Sequence, residues 1–294
     1  MAGLWKRTTS IWRCATRDLR VLPDFLIIGA QRSGSSTLYQ HIGRHPCVGR
    51  AFRKEIHFFD RQYQRGLAWY RGQFPTRIQR WVQRQIRGAF VTGESSPSYL
   101  SLPHVPARVA AALPAVKLIA IVRDPIDRAL SAYQRRVRTR EEHRNFAEAV
   151  AAERRRSWAE VAQELAAMDD PRLRRLPDAY VARGLYADQL AMWLEHFPRE
   201  QLLIVSAEQM FADPLPVLNR VYAFLGISII PATARSMQEW VRTKYSYGRY
   251  ADMDEGLRRE LAEYYRPHNE RLYALAGENL GWERPAESGR VASS

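Results

Sequence analysis

Four apolar runs punctuate the chain, at residues 25–28, 89–92, 117–122 and 202–205. Runs without a polar break, bounded by Gly, Pro or charged residues, predict strands covered on both faces, as in a parallel sheet. Helical periodicity fills the intervals. Leu38 and Ile42 share a face after the first run, as do Tyr63, Leu67 and Tyr70 within 62–88. An Ala-rich helix over 105–113 stops at Pro114, and Pro125 opens another that carries Ile126, Arg128, Leu130 and Ser131. Residues 184–197 repeat Tyr186, Leu190, Trp193 and Leu194, 217–225 close on Gly226, and a last helix runs from Leu257 through Leu261, Tyr264 and Tyr265 past Pro267 to end near Trp282. Residues 139–180 are charged and helical, with Glu/Arg alternation suited to solvated faces. In Lys54-Glu55-Ile56-His57-Phe58-Phe59-Asp60, alternation predicts an extended segment with Glu55 and His57 on one face. The pattern is that of an α/β fold: a P-loop-like central parallel sheet of about four to five strands flanked by helices. It predicts one domain over 23–284, an arm over 1–22 containing Trp5 and Trp12, and a small, polar, disordered tail over 285–294.

The first run leads into Gly29-Ala30-Gln31-Arg32-Ser33-Gly34-Ser35-Ser36-Thr37 and then a helix. Strand, glycine loop and helix together expose backbone N–H groups at a positive dipole end, which makes an anion cradle. Gly29 and Gly34 have P-loop spacing, but Ser35 stands where a P-loop NTPase has Lys, and the loop cation is Arg32. An anion is expected there, and ATP with magnesium is not the first reading. A second phosphate could be held by Arg123, at a strand tip, and Ser131, two turns into the next helix. The alternatives are an Arg123 ion pair to Asp124 or Asp127 and a small residue at 131 for close packing. Ser95 and Ser96 follow the 89–92 run where open α/β sheets bind ligands. Glu55 and His57 beside Phe58 and Phe59 form a carboxylate–imidazole pair whose pKa values an apolar wall could move toward neutrality. Tyr247, Gly248 and Arg249 belong to a loop rich in phosphate-capable donors.

The chain has 294 residues, 46% of them apolar, which supports a real core. Its net charge of +14 is carried almost wholly by arginine, since the only lysines are Lys6, Lys54, Lys117 and Lys244. Such a surface suits an anionic partner (nucleic acid, acidic glycan, anionic lipid or charged nucleotide) or simply solvated helices. Two cysteines, Cys14 and Cys47, make no disulfide framework, and the seven histidines show no metal-ligand spacing, so no metal is expected. No apolar run reaches membrane length. These features lead to the expectation of a reducing, cytoplasmic setting with no transmembrane segment. A nucleic-acid binder would interleave stacking aromatics with a basic stripe. The aromatics here fall at core-like helical spacing instead, so no nucleic-acid partner is expected. A kinase or NTPase would carry lysine after Gly34.

Five motifs in order carry a resemblance: residues 27–34, Lys54 to Phe59, Gly93 to Tyr99, Ile121 to Pro125 with Ser131, and Ser246 to Arg249. Over roughly 23–284 the chain resembles sulfotransferases that use 3′-phosphoadenosine 5′-phosphosulfate (PAPS), most of all the heparan sulfate N- and 3-O-sulfotransferase domains and their bacterial relatives. The resemblance implies that Gln31, Arg32, Ser33, Gly34, Ser35, Ser36 and Thr37 hold the 5′-phosphosulfate. It gives Arg123 and Ser131 the 3′-phosphate, and Tyr247, Gly248 and Arg249 closure over the nucleotide. Glu55 becomes the catalytic base, with Arg32 and His57 also catalytic, and Lys54, His57, Ser95 and Ser96 lie toward the acceptor. The product nucleotide would be 3′,5′-ADP. The acceptor would be a hydroxyl or amine on a glycan, glycolipid or small molecule. Three departures stand out: Arg32 replaces the usual loop lysine, Ser95 stands where the heparan enzymes have lysine, and the cysteine pair around the Gly-Arg loop of the 3-O enzymes is absent.

Overall fold

A computed structural model of the chain describes residues 13, 15–154, 156–167, 179–229 and 253–282. Its centre is a sheet of five parallel strands in the order β2-β3-β1-β4-β5. These are β1 (Phe25–Gly29), β2 (Val48–Arg50), β3 (Val91–Ser95), β4 (Lys117–Val122) and β5 (Leu202–Ser206). Successive side chains on a strand leave by opposite faces. Leu26, Ile28, Leu118, Ala120, Val122, Leu202 and Ile204 accordingly join one core. Phe25, Ile27, Ile119, Ile121 and Val205 join the other. All five residues of β1 are buried, because helices cover both faces. That double cover is why the strand reads as an unbroken apolar run.

On the second face pack α1 (Ser35–Ile42), through Leu38, Tyr39 and Ile42, and two helices late in the chain. The first face holds α2 (Phe58–Arg61) and α3 (Gly66–Arg71), whose Phe58, Phe59 and Tyr70 form an aromatic cluster. After these come α4 (Arg77–Arg87), with no buried residue, and α5 (Val105–Ala112). Helix α6 (Pro125–Arg138) starts from β4 with Pro125 in its first turn, and Asp124 caps it by accepting from the N–H groups of Ile126 and Asp127 at 2.8 and 3.2 Å. Helices α7 (Phe146–Glu153) and α8 (Trp158–Ala166) each open with a capping box, Asn145/Glu148 and Ser157/Glu160. Then follow α9 (Tyr186–Leu194) on the first face, α10 (Ala207–Ala212) and α11 (Pro214–Leu225) on the second, and α12 (Glu255–Ala276).

Three differences from the sequence reading have physical reasons. Strand β2 is only three residues long, too short for a periodic signal. Strand β3 starts two residues late and runs to Ser95, so Glu94 and Ser95 lie within the strand rather than after it. Residues 54–57 are not extended: Glu55 and His57 take left-handed backbone angles, with φ 55° and 54°, before α2 begins.

Because β1 lies between β3 and β4 while its crossover goes out to edge strand β2, the loop after β1 sits at a switch point on the carboxyl edge of the sheet. Gly34 ends that loop at φ 89°, and an added Cβ would meet the Phe211 ring at 2.8 Å. Gly34→Ala should therefore cost about 1–3 kcal/mol of stability, from left-handed strain and overpacking. The check is the midpoint of denaturant unfolding, which should fall.

Candidate active site

The loop after β1 and the first turn of α1 form one wall of a cleft of about 640 Å³. Gln31, Arg32, Ser35 and Ser36 line it from the loop side, Glu55 and His57 from the segment entering α2, and Arg61 from the end of that helix. The far wall carries Arg128, Arg135 and Arg136 from α6, and Arg183. No side chain caps α1, so the first N–H groups of that helix are left to a ligand or water. Arg32, at φ 71°, donates from Nε to Ser131 Oγ at 3.1 Å, which joins the loop to α6.

Two buried carboxylates shape the walls. Glu94 on β3 is fully buried, and its Oε1 accepts from the hydroxyls of Tyr70 and Tyr99 at 2.9 and 3.0 Å. Its Oε2 accepts from Ser96 Oγ at 2.7 Å and the Ile56 N–H at 3.3 Å. Ser96 Oγ in turn accepts from the His57 N–H at 3.0 Å. Burial pushes the Glu94 proton affinity up, against the pull of these donors. Glu153 does the same work opposite, accepting from the N–H groups of Val181 and Ala182 at 2.9 and 2.7 Å. That contact fixes the turn bearing Arg183, whose Nη1 donates to Gln31 Oε1 at 2.6 Å.

Glu55 and His57 flank Ile56, whose N–H Glu94 holds. His57 Nδ1 lies 2.9 Å from Asp60 Oδ2, and its Nε2 lies 3.8 Å from Glu55 Oε2. Ser98 Oγ donates to the same Asp60 oxygen at 2.6 Å. Burial alone would lower the His57 pKa, but the hydrogen bond to Asp60 and the ion pair with Glu55 outweigh it and raise it to about 9. The same pairing with His57, helped by Lys54, holds Glu55 down to about 2. The expectation that Phe58 and Phe59 would move these groups toward neutrality is corrected: both rings turn into the core, 1% and 0% exposed, and Glu55 faces charged neighbours instead. Lys54 bridges the walls, donating to Ser36 Oγ and standing 3.1 Å from Glu55.

The other candidates divide. Ser131 meets Arg32. Arg123 is 3% exposed, 3.8 Å from Asp127, and does not line the cleft. Ser33 is buried, and Thr37 does not line the cleft either. Ser95 and Ser96 are fully buried beneath the cleft, where Ser96 serves as scaffold. Tyr247, Gly248 and Arg249 lie outside the described residues, as do the 285–294 tail and most of the arm. Sequence reading missed the cleft roles of Arg61, Arg135, Arg136 and Arg183, and took Arg128 only as a helix residue. Arg128 and Arg135 flank Ser131 at i−3 and i+4, so helical spacing carried that signal.

A glycine loop at the switch point of the sheet, facing a carboxylate–imidazole pair across an arginine-lined cleft, has the chemistry of a group-transfer site. The chain belongs to the sulfotransferase domain family, which matches residues 22–269. It is similar to human heparan sulfate glucosamine 3-O-sulfotransferase 3B1, 32% identical over 279 residues that make up 89% of this chain and 65% of that protein. Human heparan sulfate glucosamine 3-O-sulfotransferase 6 is 33% identical over 280 residues, 90% of this chain and 74% of that one. Human bifunctional heparan sulfate N-deacetylase/N-sulfotransferase 3 is 32% identical over an alignment, gaps included, of 295 positions that covers 92% of this chain and 31% of that protein. The chain thus spans just under two thirds of the first of these relatives. Among solved structures, a sulfotransferase from Alicyclobacillus acidocaldarius superposes with a TM-score of 0.63 at 29% identity, over 90% of this chain and all of that one. The cytoplasmic expectation is overturned by this kinship: the heparan sulfate sulfotransferases act in the Golgi lumen. Two cysteines in the sequence, of which Cys47 is free, do not name a compartment, and the fold is silent on location. Among the described residues no helix is long and apolar enough to cross a membrane, and no cluster of His, Cys, Asp and Glu could hold a metal ion.

Because the folded state raises His57 from 6.5 to about 9, the stability it contributes is fully present below about 6.5 and is lost as pH climbs through about 9. Asp60→Asn should bring the His57 titration well below 9, followed by NMR of the ring protons. A titration at or under 6.5 in the unaltered protein would contradict the Glu55–His57–Asp60 arrangement. Glu94→Leu should leave several buried donors unpaired and cost about 3 kcal/mol or more, read by equilibrium unfolding.

Proposed function

We propose that this chain transfers the sulfuryl group of PAPS to a hydroxyl or amine of a carbohydrate-type acceptor, with 3′,5′-ADP as the product nucleotide. The observation that carries the reading is the arginine-walled cleft between the Gly34 loop and the Glu55–His57 pair. The cleft fits a polyanionic nucleotide: the Nε of Arg128 and the Nε and Nη2 of Arg183 are buried without a hydrogen-bond partner, and desolvated guanidinium N–H groups call for an anion. Family membership supports the same donor.

Bound there, PAPS supplies an activated sulfuryl group whose transfer needs alignment and charge stabilisation more than covalent help. Arg32 and the open N–H groups of α1 would grip the 5′ end and offset charge on the departing phosphate. Ser131, with Arg123 behind it, would face the 3′-phosphate. A guanidinium in the loop, in place of a lysine, gives that grip a bidentate geometry. Tyr247, Gly248 and Arg249 keep their proposed role over the nucleotide.

Glu55 is the proposed base. A carboxylate held near 2 takes no proton from a resting sugar hydroxyl. It takes one as the acceptor oxygen bonds to sulfur, when that oxygen's proton becomes strongly acidic. His57, oriented by Asp60, stays protonated and steadies Glu55 while presenting its ring to the acceptor. Lys54 flanks the acceptor side. Ser95 and Ser96 act from beneath, and the absence of a lysine at Ser95 points to an acceptor whose charge is read differently from heparan.

Glu55→Gln should lower kcat about 10²–10⁴-fold while leaving 3′,5′-ADP affinity nearly unchanged, as single-turnover kinetics and calorimetry would show. Calorimetry on the unaltered protein should give much tighter binding of 3′,5′-ADP than of 5′-AMP, a preference that Arg123→Ala erases. Equal affinity for the two nucleotides would sink the 3′-phosphate assignment. Transfer should also survive EDTA, because arginines supply the positive charge. Activity lost to EDTA and restored by magnesium would favour a kinase-type reaction instead.

A further inference from the structure

Helix α4 is turned inside out. An ordinary surface helix buries its apolar stripe and shows its charges to water. In α4 the apolar residues Ile78, Trp81, Val82 and Ile86 fall at i, i+3, i+4 and i+8, one face of the helix, and are 72%, 64%, 37% and 68% exposed. What holds the helix to the body is the opposite, polar face: Arg80 pairs with Asp24, and Arg80 and Gln83 are half-buried. Both ends are firmly set, by Thr76 accepting from the Gln79 N–H at 3.1 Å and by Gly88 at φ 76°. The stripe is therefore a stable feature of a capped helix, and none of its residues is buried.

The charge around the stripe selects its partner. The helix sequence RIQRWVQRQIR holds four arginines and no carboxylate. Arg77 and Arg84 flank the apolar face, and both are exposed. Two copies meeting through this face would press arginine rows together. An anionic lipid surface instead takes the apolar side chains into its headgroup boundary while flanking arginines reach the phosphates. We propose that α4 is a peripheral docking element for anionic phospholipid membranes.

The placement is consistent with an enzyme working at such a surface. Asp24, which anchors Arg80 and accepts from the Thr92 N–H at 2.8 Å, immediately precedes β1. Helix α4 therefore lies at the amino edge of the sheet, and the cleft opens at the carboxyl edge. A chain docked through α4 keeps its cleft turned away from the lipid and open to acceptors in solution.

The test is co-sedimentation of the full chain with vesicles. The chain should sediment with phosphatidylcholine vesicles containing about one third phosphatidylserine, and at least about tenfold more weakly with phosphatidylcholine alone or in high salt. Trp81→Ser combined with Ile86→Ser should weaken binding to the anionic vesicles about tenfold or more, with thermal unfolding unchanged because both side chains are exposed. Arg77→Gln with Arg84→Gln should remove the preference for the anionic vesicles. Equal sedimentation with both vesicle types, or a Trp81/Ile86 double variant that binds like its parent, would overturn the proposal. So would sedimentation equilibrium showing a dimer that the same double variant dissolves, since that assigns the face to a second copy.

Discussion

The carboxylate of Glu94, buried where β3 meets the carboxyl edge of the sheet, is the contact on which the reactive wall depends. It gathers two tyrosine hydroxyls, a serine hydroxyl and the Ile56 N–H. Through Ser96 it also fixes the backbone of His57. Residues 54–57 make no ladder hydrogen bonds and carry two left-handed residues, so regular secondary structure cannot hold them. A buried carboxylate is costly unless its donors are complete. Once they are complete, it rigidifies everything attached to it. Glu153 repeats the device across the cleft, where it seats the turn bearing Arg183. On each wall a buried carboxylate holds a stretch of irregular chain from below: residues 54–57 on one side and the turn bearing Arg183, beside helix α6, on the other.

This division explains what could be read from the residues. Strands β1 and β4 were legible because both faces are buried and the apolar runs are continuous. The turn after β1 was legible because its glycines mark a backbone requirement, seen at Gly34. The pairing of Glu55 with His57 was foreseen, but on a strand. A two-residue alternation around Ile56 also arises when two left-handed residues flank a buried one, and periodicity does not separate the two cases. Glu94 was quoted within a motif without a role, since two of its four donors, the Tyr70 hydroxyl and the Ile56 N–H, come from distant segments that nothing local signals. Arg183 reaches the cleft by long-range packing against Gln31, which no local pattern encodes. Arg128 and Arg135 of α6 did follow helical spacing from Ser131, and a face-by-face reading of that helix would have found them.

The pair of His57 and Glu55 also shows how opposite effects of burial are resolved. Desolvation pushes an imidazole toward neutrality and a carboxylate toward protonation. Here each stands within reach of the other, and Asp60 adds a second carboxylate on the far side of the ring. The ionised forms win on both residues because the hydrogen bonds are short on the Asp60 side and the Glu55 side chain keeps 40% of its surface. The wall is thus a charged strip of alternating sign.

The opposite wall is built almost entirely of guanidinium groups: Arg128, Arg135, Arg136 and Arg183. Even Arg183, brought down to about 10 by burial and the nearby Arg128, remains a cation across the neutral range. On the proposed reading, ionic strength sets how readily an anion fills the cleft, and acidity acts on the facing strip through His57. Salt would then weigh chiefly on filling and pH chiefly on proton transfer.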